Sequence, residues 1–528
     1  MKKVYLISEN ERQYKAELHM HTTCSDGILT PFEAKEIYQK HGFSVVAYTD
    51  HDVFVRHHEE LSDETFIALN AFELGISAFS EDETGREKQV HLNFLAQSPD
   101  IEKMPFYNPK YIYKKGAQQF IGKIPFDGEL EDRNNEVEWL NYAIQKGNEQ
   151  GFLITYNHPI WSVVEPKDYL PLNGLFAMEV WNTGSCYDTP EDGAAWREMI
   201  WSGKDIKCVA ANDYHAPQEF DGIQAAVYVC TNNFSYEGII DALKKGKFYS
   251  STGPTIEEVS ICDGKLHIRC SPVKSLRILG VKSLICKAVA DFGEMLTEVE
   301  FPIKPYMNNM FYIHLTGKHN TQAWTNPIFN LGKYILDAQM QESHQSLFLN
   351  DKMVAYPWLS RIDGQIAYTY FYARKVSEQI KEIVALGNEY TFKDIYIQLS
   401  SSEIIGFDYI FDKGVEEIKR IQQERLQEIE KELEMLSVWA KESNVALIFL
   451  SMLPVSHSAV DVYDYRNNYV RAVNSLLIAT AMKNGFEYVD VSSKLENEQG
   501  ILSEKYMTNS TCLTEEYFMN HFRRKNNE

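Results

Sequence analysis

The chain has no cysteine pair at CxxC spacing; its eight cysteines stand singly at Cys24, Cys186, Cys208, Cys230, Cys262, Cys270, Cys286 and Cys512. In 528 residues that scatter excludes a zinc knuckle and a small disulfide scaffold, so reduced, structural thiols are expected. No uncharged apolar run reaches the ~18 residues that cross a bilayer. Residues 1–10 also lack the apolar stretch of a signal peptide. A soluble, cytoplasmic protein with no membrane partner is expected. Positive charge is scarce as well: 52 Lys and Arg against 75 Asp and Glu leave a net charge of -23. Such a field repels polyanions and excludes a general nucleic-acid surface, while leaving room for a local positive site made by metal ions. Internal repeats and low-complexity tracts are absent too.

What remains is ample material for packed cores: 44% hydrophobic residues and 13% aromatics. The length exceeds the ~250–300 residues at which single cores stop growing, so two or three domains are expected. From residue 14 to about 255, short apolar runs at 44–48, 152–156, 175–180 and 207–211 alternate with helical patterns. This reads as α/β, parallel strands with crossover helices, and in such folds function sits at the C-terminal strand ends. Residues 256–332 change to short β runs, at 266–270 and 311–315, and read as a small β domain. Residues 333–528 return to α/β, with strands at 394–399 and 445–450 on either side of a helix over 413–443. Its apolar spacing fits an amphipathic helix packed on its own sheet; it does not persist over enough heptads for a coiled coil.

The segment AELHMHTTCSDGILTPFEAKEIYQKHGFSVVAYTDHDVF, residues 16–54, concentrates the chemistry. In an extended strand, residues i and i+2 point to one side, so His19 and His21 present two imidazoles to one point. Asp26 follows in a Ser-Asp-Gly turn, and the strand at 44–48 delivers Asp50, His51 and Asp52 at its end. Imidazoles with one or two carboxylates are the ligand set of zinc, iron or manganese. His41, His57 and His58 are expected to be ordinary core or surface histidines. Asp50 or Asp52 is a candidate to orient an imidazole through its second nitrogen.

These residues resemble the PHP (polymerase and histidinol phosphatase) superfamily, whose hallmarks occur here in order. They are His19 and His21, Asp26 in SDG, His51 in TDHD, Glu73 in AFELG, His91 in VHLNFLA, His158 in YNHPIW, then Asp213 and His215 in ANDYH. FAMEVWNTG, KGKFYSSTGPTI and AWTNPI are similar to the branch that includes carbaryl-hydrolase-like proteins, and the resemblance spans residues 14–330. It implies an N-terminal distorted (β/α)7 barrel over 1–255 followed by a small β domain.

By that resemblance, His19, His21 and Asp213 hold one metal, and Glu73 bridges to a second completed by His91 and His158. Asp26, His51 and His215 hold a third, so that roughly two to three divalent ions (Mn, Fe or Zn) are the implied cofactors. His158, Asp26 and His215 are the ligands also expected to act in catalysis. Arg197, in AAWREMIWSGK, is a candidate phosphate clamp, since guanidinium matches phosphate bidentately. The implied reaction is hydrolysis of a phosphate monoester or small phosphodiester, on a small phosphorylated substrate, by a metal-bridging hydroxide. Two alternatives stay open: hydrolysis of a carboxylic or carbamic ester at the same site, and a non-catalytic binding protein with structural metals. A polymerase-associated exonuclease is disfavoured by the acidic charge.

KDIYIQLSSSEII, ALIFLSMLPVS, FEYVDVSSKL and YMTNSTCLTEEYF resemble the ordered blocks of SGNH (GDSL-type) hydrolases over 333–518, which implies a three-layer α/β domain. The departures matter more. Asn509 and Cys512 stand where the acid and base belong, the expected first strand KYILDAQMQES lacks the GDS serine, and SSSE replaces the GxND block. Ser343 beside His344 is a weak substitute, because sequence neighbours seldom face each other. A degenerate domain that serves a protein partner or a homo-oligomer is expected.

Overall fold

The computed structural model describes residues 3–81, 87–185, 193–215, 224–262, 265–303, 307, 310–332, 335–336, 346–350, 366–370, 375–399, 414–452, 463–490, 507–509 and 512–513. A short strand, Val4–Ile7 (β1), precedes Gln13–Glu17 (β2), Pro31–Lys40 (α1), Val45–Tyr48 (β3), the single-turn His58–Leu61 (α2) and Ile67–Glu81 (β4). The chain then doubles back as Glu87–Ala96 (β5). After a long connection come Val137–Glu149 (α3), Phe152–Tyr156 (β6), Pro166–Tyr169 (α4), Ala177–Asn182 (β7), Ala194–Trp201 (α5) and Lys207–Ala211 (β8).

Strands β2, β3 and β4 are mutually parallel, β5 is antiparallel to both β4 and β6, and β6, β7 and β8 are parallel again. The ring closes beyond β8, where Met20 forms a parallel bridge with Tyr214 and Asp213 N donates to His19 O at 2.9 Å. Seven strands therefore form the barrel, and the expectation of uniformly parallel strands fails at β5, which pairs with β4 as a hairpin. Strand β3 is buried along its whole length, as a strand covered on both faces must be. Small and branched side chains from all seven strands, among them Ala16, Val45, Leu69, Leu95, Leu153, Ala177 and Val209, form one interior cluster. Thr30 and Glu33 make a reciprocal capping box with Pro31 at the first helical position, which fixes where the 21–30 loop ends and α1 begins.

The sheet does not stop at the barrel. Ala226–Cys230 (β9), after which comes Tyr236–Lys244 (α6), pairs antiparallel with β2, and Phe248–Ser251 (β10) pairs with β9. Next come Ile256–Cys262 (β11), Lys265–Val273 (β12), Ser275–Gly280 (β13), Ser283–Val289 (β14), Leu296–Pro302 (β15), Met310–Thr316 (β16), Gln322–Thr325 (β17) and Ile328–Phe329 (β18). Strands β17, β16, β13 and β14 extend the barrel sheet through β10, whereas β1, β11, β12 and β15 form a separate antiparallel sheet.

The C-terminal part is a parallel sheet of order β20-β19-β21-β22-β23: Ser346–Asn350 (β19), Ile366–Tyr370 (β20), Asp394–Gln398 (β21), Ala446–Leu450 (β22) and Glu487–Val489 (β23). Its helices are Val376–Glu389 (α7), Val415–Glu442 (α8) and Tyr463–Asn484 (α9). Alternation along the strands sorts the side chains to two faces. Leu347, Leu349, Ile395, Ile397, Leu447 and Phe449 pack with all three helices, so α8 lies on its own sheet as its apolar spacing predicts. Phe348, Ile448 and Leu450 instead join the core of the small β sheet, with Ile7, Val259 and Ile268. Among the described residues the first strand of this sheet is Ser346–Asn350; of the expected KYILDAQMQES only Ile335 and Leu336 are described, and they are helical. The sequence after it reads DKMVA, still without a GDS serine. Asn509 and Cys512 oppose each other in a small hairpin of Met507–Asn509 (β24) and Cys512–Leu513 (β25); Ser343, His344 and the SSSE block lie outside the described residues. Among the described residues no helix is long and apolar enough to cross a membrane.

On the face of β4, β5 and β6 turned away from that interior cluster, Phe94 stacks on Phe72 at 4.8 Å between ring centres and meets Phe152 and Phe106 edge-on at 6.1 and 6.0 Å. Truncating a buried ring removes its transfer free energy and leaves a cavity. Phe94→Ala should therefore lower stability by about 3–5 kcal/mol, read as a shift in the urea midpoint at unchanged slope. A loss below about 1 kcal/mol would mean that this layer is not packed as described.

Candidate metal centre

The nine sequence-selected ligands meet at the mouth of the barrel. His19 and His21 leave the end of β2 with their Nε2 atoms 3.2 Å apart, each near Asp213 Oδ1, at 3.2 and 3.1 Å. Glu73 of β4 is the hub. Its Oε1 lies 3.2 Å from His19 Nε2, 3.0 Å from His91 Nδ1 and 3.6 Å from His158 Nε2, and its Oε2 lies 3.0 Å from His51 Nδ1 and 3.3 Å from His21 Nε2. Asp26 and His215 complete the mouth, with His215 Nε2 3.5 Å from Asp26 Oδ1.

Four overlapping groups have donor atoms close enough to share an ion: His19 with His21 and Asp213; His19 with Glu73 and His158; His51 with Glu73 and His91; and His21 with Asp26, His51 and His215. His91 and His158, expected on one ion, fall into separate groups joined through Glu73. Asp26 Oδ1, Glu73 Oε2 and Asp213 Oδ1 are buried without a hydrogen-bond partner among the described residues. Bare carboxylate oxygens facing imidazole nitrogens are what a divalent ion requires, and the nitrogen and oxygen donor set fits zinc, iron or manganese.

Local backbone aims these groups. Asp52, His158 and Asp213 carry φ of 60°, 25° and 49° at strand ends, left-handed values that cost of order 1–3 kcal/mol each outside glycine and cluster at functional sites. A Cβ on Gly27 would stand 2.3 Å from the His21 carbonyl oxygen, so the SDG turn needs glycine to bring Asp26 back over His21.

The supporting groups differ from the expected ones. Asp50 accepts from Thr22 N and Thr22 Oγ1 at 2.8 Å and from Ser25 Oγ at 2.7 Å, which ties down the HxH loop. Asp52 is held by Arg133, whose side chain is buried and also donates to Gly75 O and Phe106 O. The carboxylate that orients a ligand imidazole is Glu179, 2.7 Å from His19 Nδ1, while Ser162 Oγ lies 3.0 Å from His158 Nδ1. Glu179 lies within FAMEVWNTG, where its spacing from His19 carries no signal.

Lys114 was also missed. It pairs with Asp26 from the connection between β5 and α3, and only the packing of that connection reveals it: Gly116 N donates to Ser25 O at 2.9 Å, and a Cβ there would stand 2.2 Å from Thr23 O. Arg197 sits on α5, where its charge acts on Tyr312 and His314 of β16.

Burial opposes charge on His19, His21, His51, Glu73, Asp213 and His215, and the outcome depends on neighbours. For His19 and His21, burial is outweighed by Asp213 and Glu73, so His19 is held above its ordinary value and His21 is pushed up to about 10. Glu73 and Asp213, despite burial, are held well below the carboxylate range by the surrounding imidazoles. His51 and His215 are lowered, chiefly by burial.

Two outcomes follow. Without ions, His21 keeps its proton until the pH passes about 10, so its share of folding stability is present below the ordinary histidine value and fades above. Ions need the neutral ring, so loading expels protons, and affinity should rise about tenfold per pH unit for each proton released. Chelator-competition titrations at pH 6 and pH 8 read this directly; a constant unchanged across that span would contradict it. Glu179→Gln should weaken ion binding about 10- to 100-fold by loosening the His19 ring, in the same titration.

No protein-family model matches the chain, and no curated protein matches it. Among solved structures it is similar to a two-domain protein from Bacteroides vulgatus containing a predicted PHP-like metal-dependent phosphoesterase, with 14% identity and a TM-score of 0.32 over 61% of this chain and 97% of that one. An amidohydrolase from Chromobacterium violaceum shares 17% identity at a TM-score of 0.28, covering 39% of this chain and 88% of that one. A GDSL-like lipase from Bacteroides thetaiotaomicron shares 14% identity at a TM-score of 0.27, over 35% of this chain and 88% of that one.

Proposed function

We propose that the chain is a metal-dependent hydrolase of a phosphate monoester or small phosphodiester. The observation that carries this reading is the convergence of six imidazoles on three carboxylates whose Asp26 Oδ1, Glu73 Oε2 and Asp213 Oδ1 have no hydrogen-bond partner among the described residues. Bound divalent ions supply a water nucleophile available at neutral pH and neutralise charge on phosphoryl oxygens.

The side chains divide the remaining work by depth. His19, His21, Glu73 and His158 are almost fully buried and would hold ions away from bulk water. Asp26 and His215 are 25% and 29% exposed, so substrate approaches from their side. Lys114 stands there too, 27% exposed, its ammonium against Asp26. An ammonium at the open rim favours an anionic phosphoryl group over a neutral ester, and Lys114 is a better-placed clamp than Arg197. Asp52, pinned by buried Arg133, keeps the His51 loop in position without touching substrate.

The metal-loaded full chain should hydrolyse p-nitrophenyl phosphate, and the His19→Ala, His21→Ala double variant should lose that activity with the fold retained, since strand-end ligands lie outside the barrel core. Lys114→Ala should raise KM for the phosphate ester about 10- to 100-fold, the worth of one charge-assisted hydrogen bond, without affecting p-nitrophenyl acetate. Hydrolysis of the acetate but not the phosphate by the loaded protein would replace this reading with a carboxylic ester hydrolase. Activity on neither substrate, with ions bound, would favour a binding protein.

A further inference from the structure

Behind the barrel mouth, a thiol, a carboxylate and an imidazole meet in a group separate from the nine ligands. Cys24, Asp50 and His57 each bring one donor atom to within 4.8 Å of the other two, and the three residues are 8%, 1% and 4% exposed. His57 is the unexplained member. Its backbone N–H donates to Asn70 Oδ1 at 2.9 Å, which fixes the segment, yet neither ring nitrogen has a hydrogen-bond partner among the described residues. A neutral imidazole carries one donor and one acceptor, and burying both unsatisfied is costly enough that native structures rarely do it.

The two neighbours suit a shared ion. Asp50 has three of its roughly four lone-pair positions filled, by Thr22 and Ser25, which leaves one free to face inward. Cys24 is a free, buried thiol whose backbone N–H is already taken by Thr22 Oγ1 at 3.1 Å. Tyr48, itself buried, lies beside the His57 ring, 4.9 Å between centres.

We infer that Cys24, Asp50 and His57 form a second metal site that takes one borderline-soft divalent cation of the zinc class. Thiolate, imidazole and carboxylate are all zinc donors, sulfur sets this group apart from the nitrogen and oxygen donors of the barrel mouth, and three protein donors leave the fourth tetrahedral position to a water. Binding exchanges the Cys24 S–H proton for a metal–sulfur bond, and the proton leaves to solvent. The ion would tie the loop between His21 and Asp26 to the loop that carries His51, through Cys24 on one and Asp50 on the other.

Cobalt(II) tests this in the full-length chain, because a cobalt–thiolate bond gives an intense near-ultraviolet charge-transfer band that nitrogen and oxygen ligands do not. The wild-type protein reconstituted with cobalt should show the band, and the His19→Ala, His21→Ala variant should keep it, which separates this site from the barrel mouth. Cys24→Ala and His57→Ala should each lose it and bind about one equivalent less cobalt. A cobalt-saturated wild-type protein without the band overturns the proposal even if both single variants fail to fold. So does a band that survives in Cys24→Ala.

Discussion

Placing four carboxylates within one barrel end, beneath a nearly solvent-free surface, is the constraint that the rest of the site answers. Glu17, Glu73 and Glu179 are wholly buried and Asp213 nearly so. Each would cost several kcal/mol if left uncompensated. The compensation comes in two layers. Below, Glu17 accepts from the backbone of Leu18, His19 and Asn212 and from Tyr38, and Glu179 accepts from His158 N and Asn182 Nδ2. Above, Glu73 and Asp213 face imidazoles. The donors to Glu17 are neutral, and burial still pushes it up to about 7. The upper layer leaves Glu73 Oε2 and Asp213 Oδ1 without a hydrogen-bond partner among the described residues, an arrangement that suits cations.

That division explains the backbone. Donors must enter from several strand ends at once, so the chain turns sharply immediately after β3, β6 and β8, and the left-handed residues fall at Asp52, His158 and Asp213. Asp is among the residues that tolerate this region best. The antiparallel β5 has the same origin in function: as the return arm of a hairpin, it sets His91 opposite Gly75, two residues from Glu73, and hence beside its carboxylate.

Legibility in the sequence follows locality. His19, His21, Asp26 and His51 stand in short motifs whose spacing places them near one strand end, because a strand and its following turn are local structures. Glu73, His91, His158, Asp213 and His215 were recognisable through family resemblance, since nothing adjacent to them marks a ligand. Glu179, Lys114 and Arg133 were not legible, because each acts on a partner far away in sequence: 160, 88 and 81 positions respectively. Strand direction was equally hidden, since the alternation of β5 suits either pairing sense. His57 was open for a related reason: a histidine in HHEE fits a core or a surface position, and its burial against Tyr48 depends on how β3 and β4 are joined.

The C-terminal part raises a different question, because the resemblance that suggests a lost hydrolase explains neither its retention nor its position. The two faces of its sheet answer part of it. One face is covered by α7, α8 and α9, and the other sets Phe348, Ile448 and Leu450 into the same core as Ile7, Val259 and Ile268. Each such side chain, fully buried, contributes about 1.5–3 kcal/mol, whereas the net stability of a whole domain is only about 5–15 kcal/mol. Strand β1 holds its place in the small sheet through pairing with β11 alone, and its inner residue Ile7 belongs to this shared core. The segment from β1 leads directly into β2 and its two imidazoles. A sheet that seals this core therefore supports the strand beyond whose end His19 and His21 project, and that support needs packing and no catalytic serine.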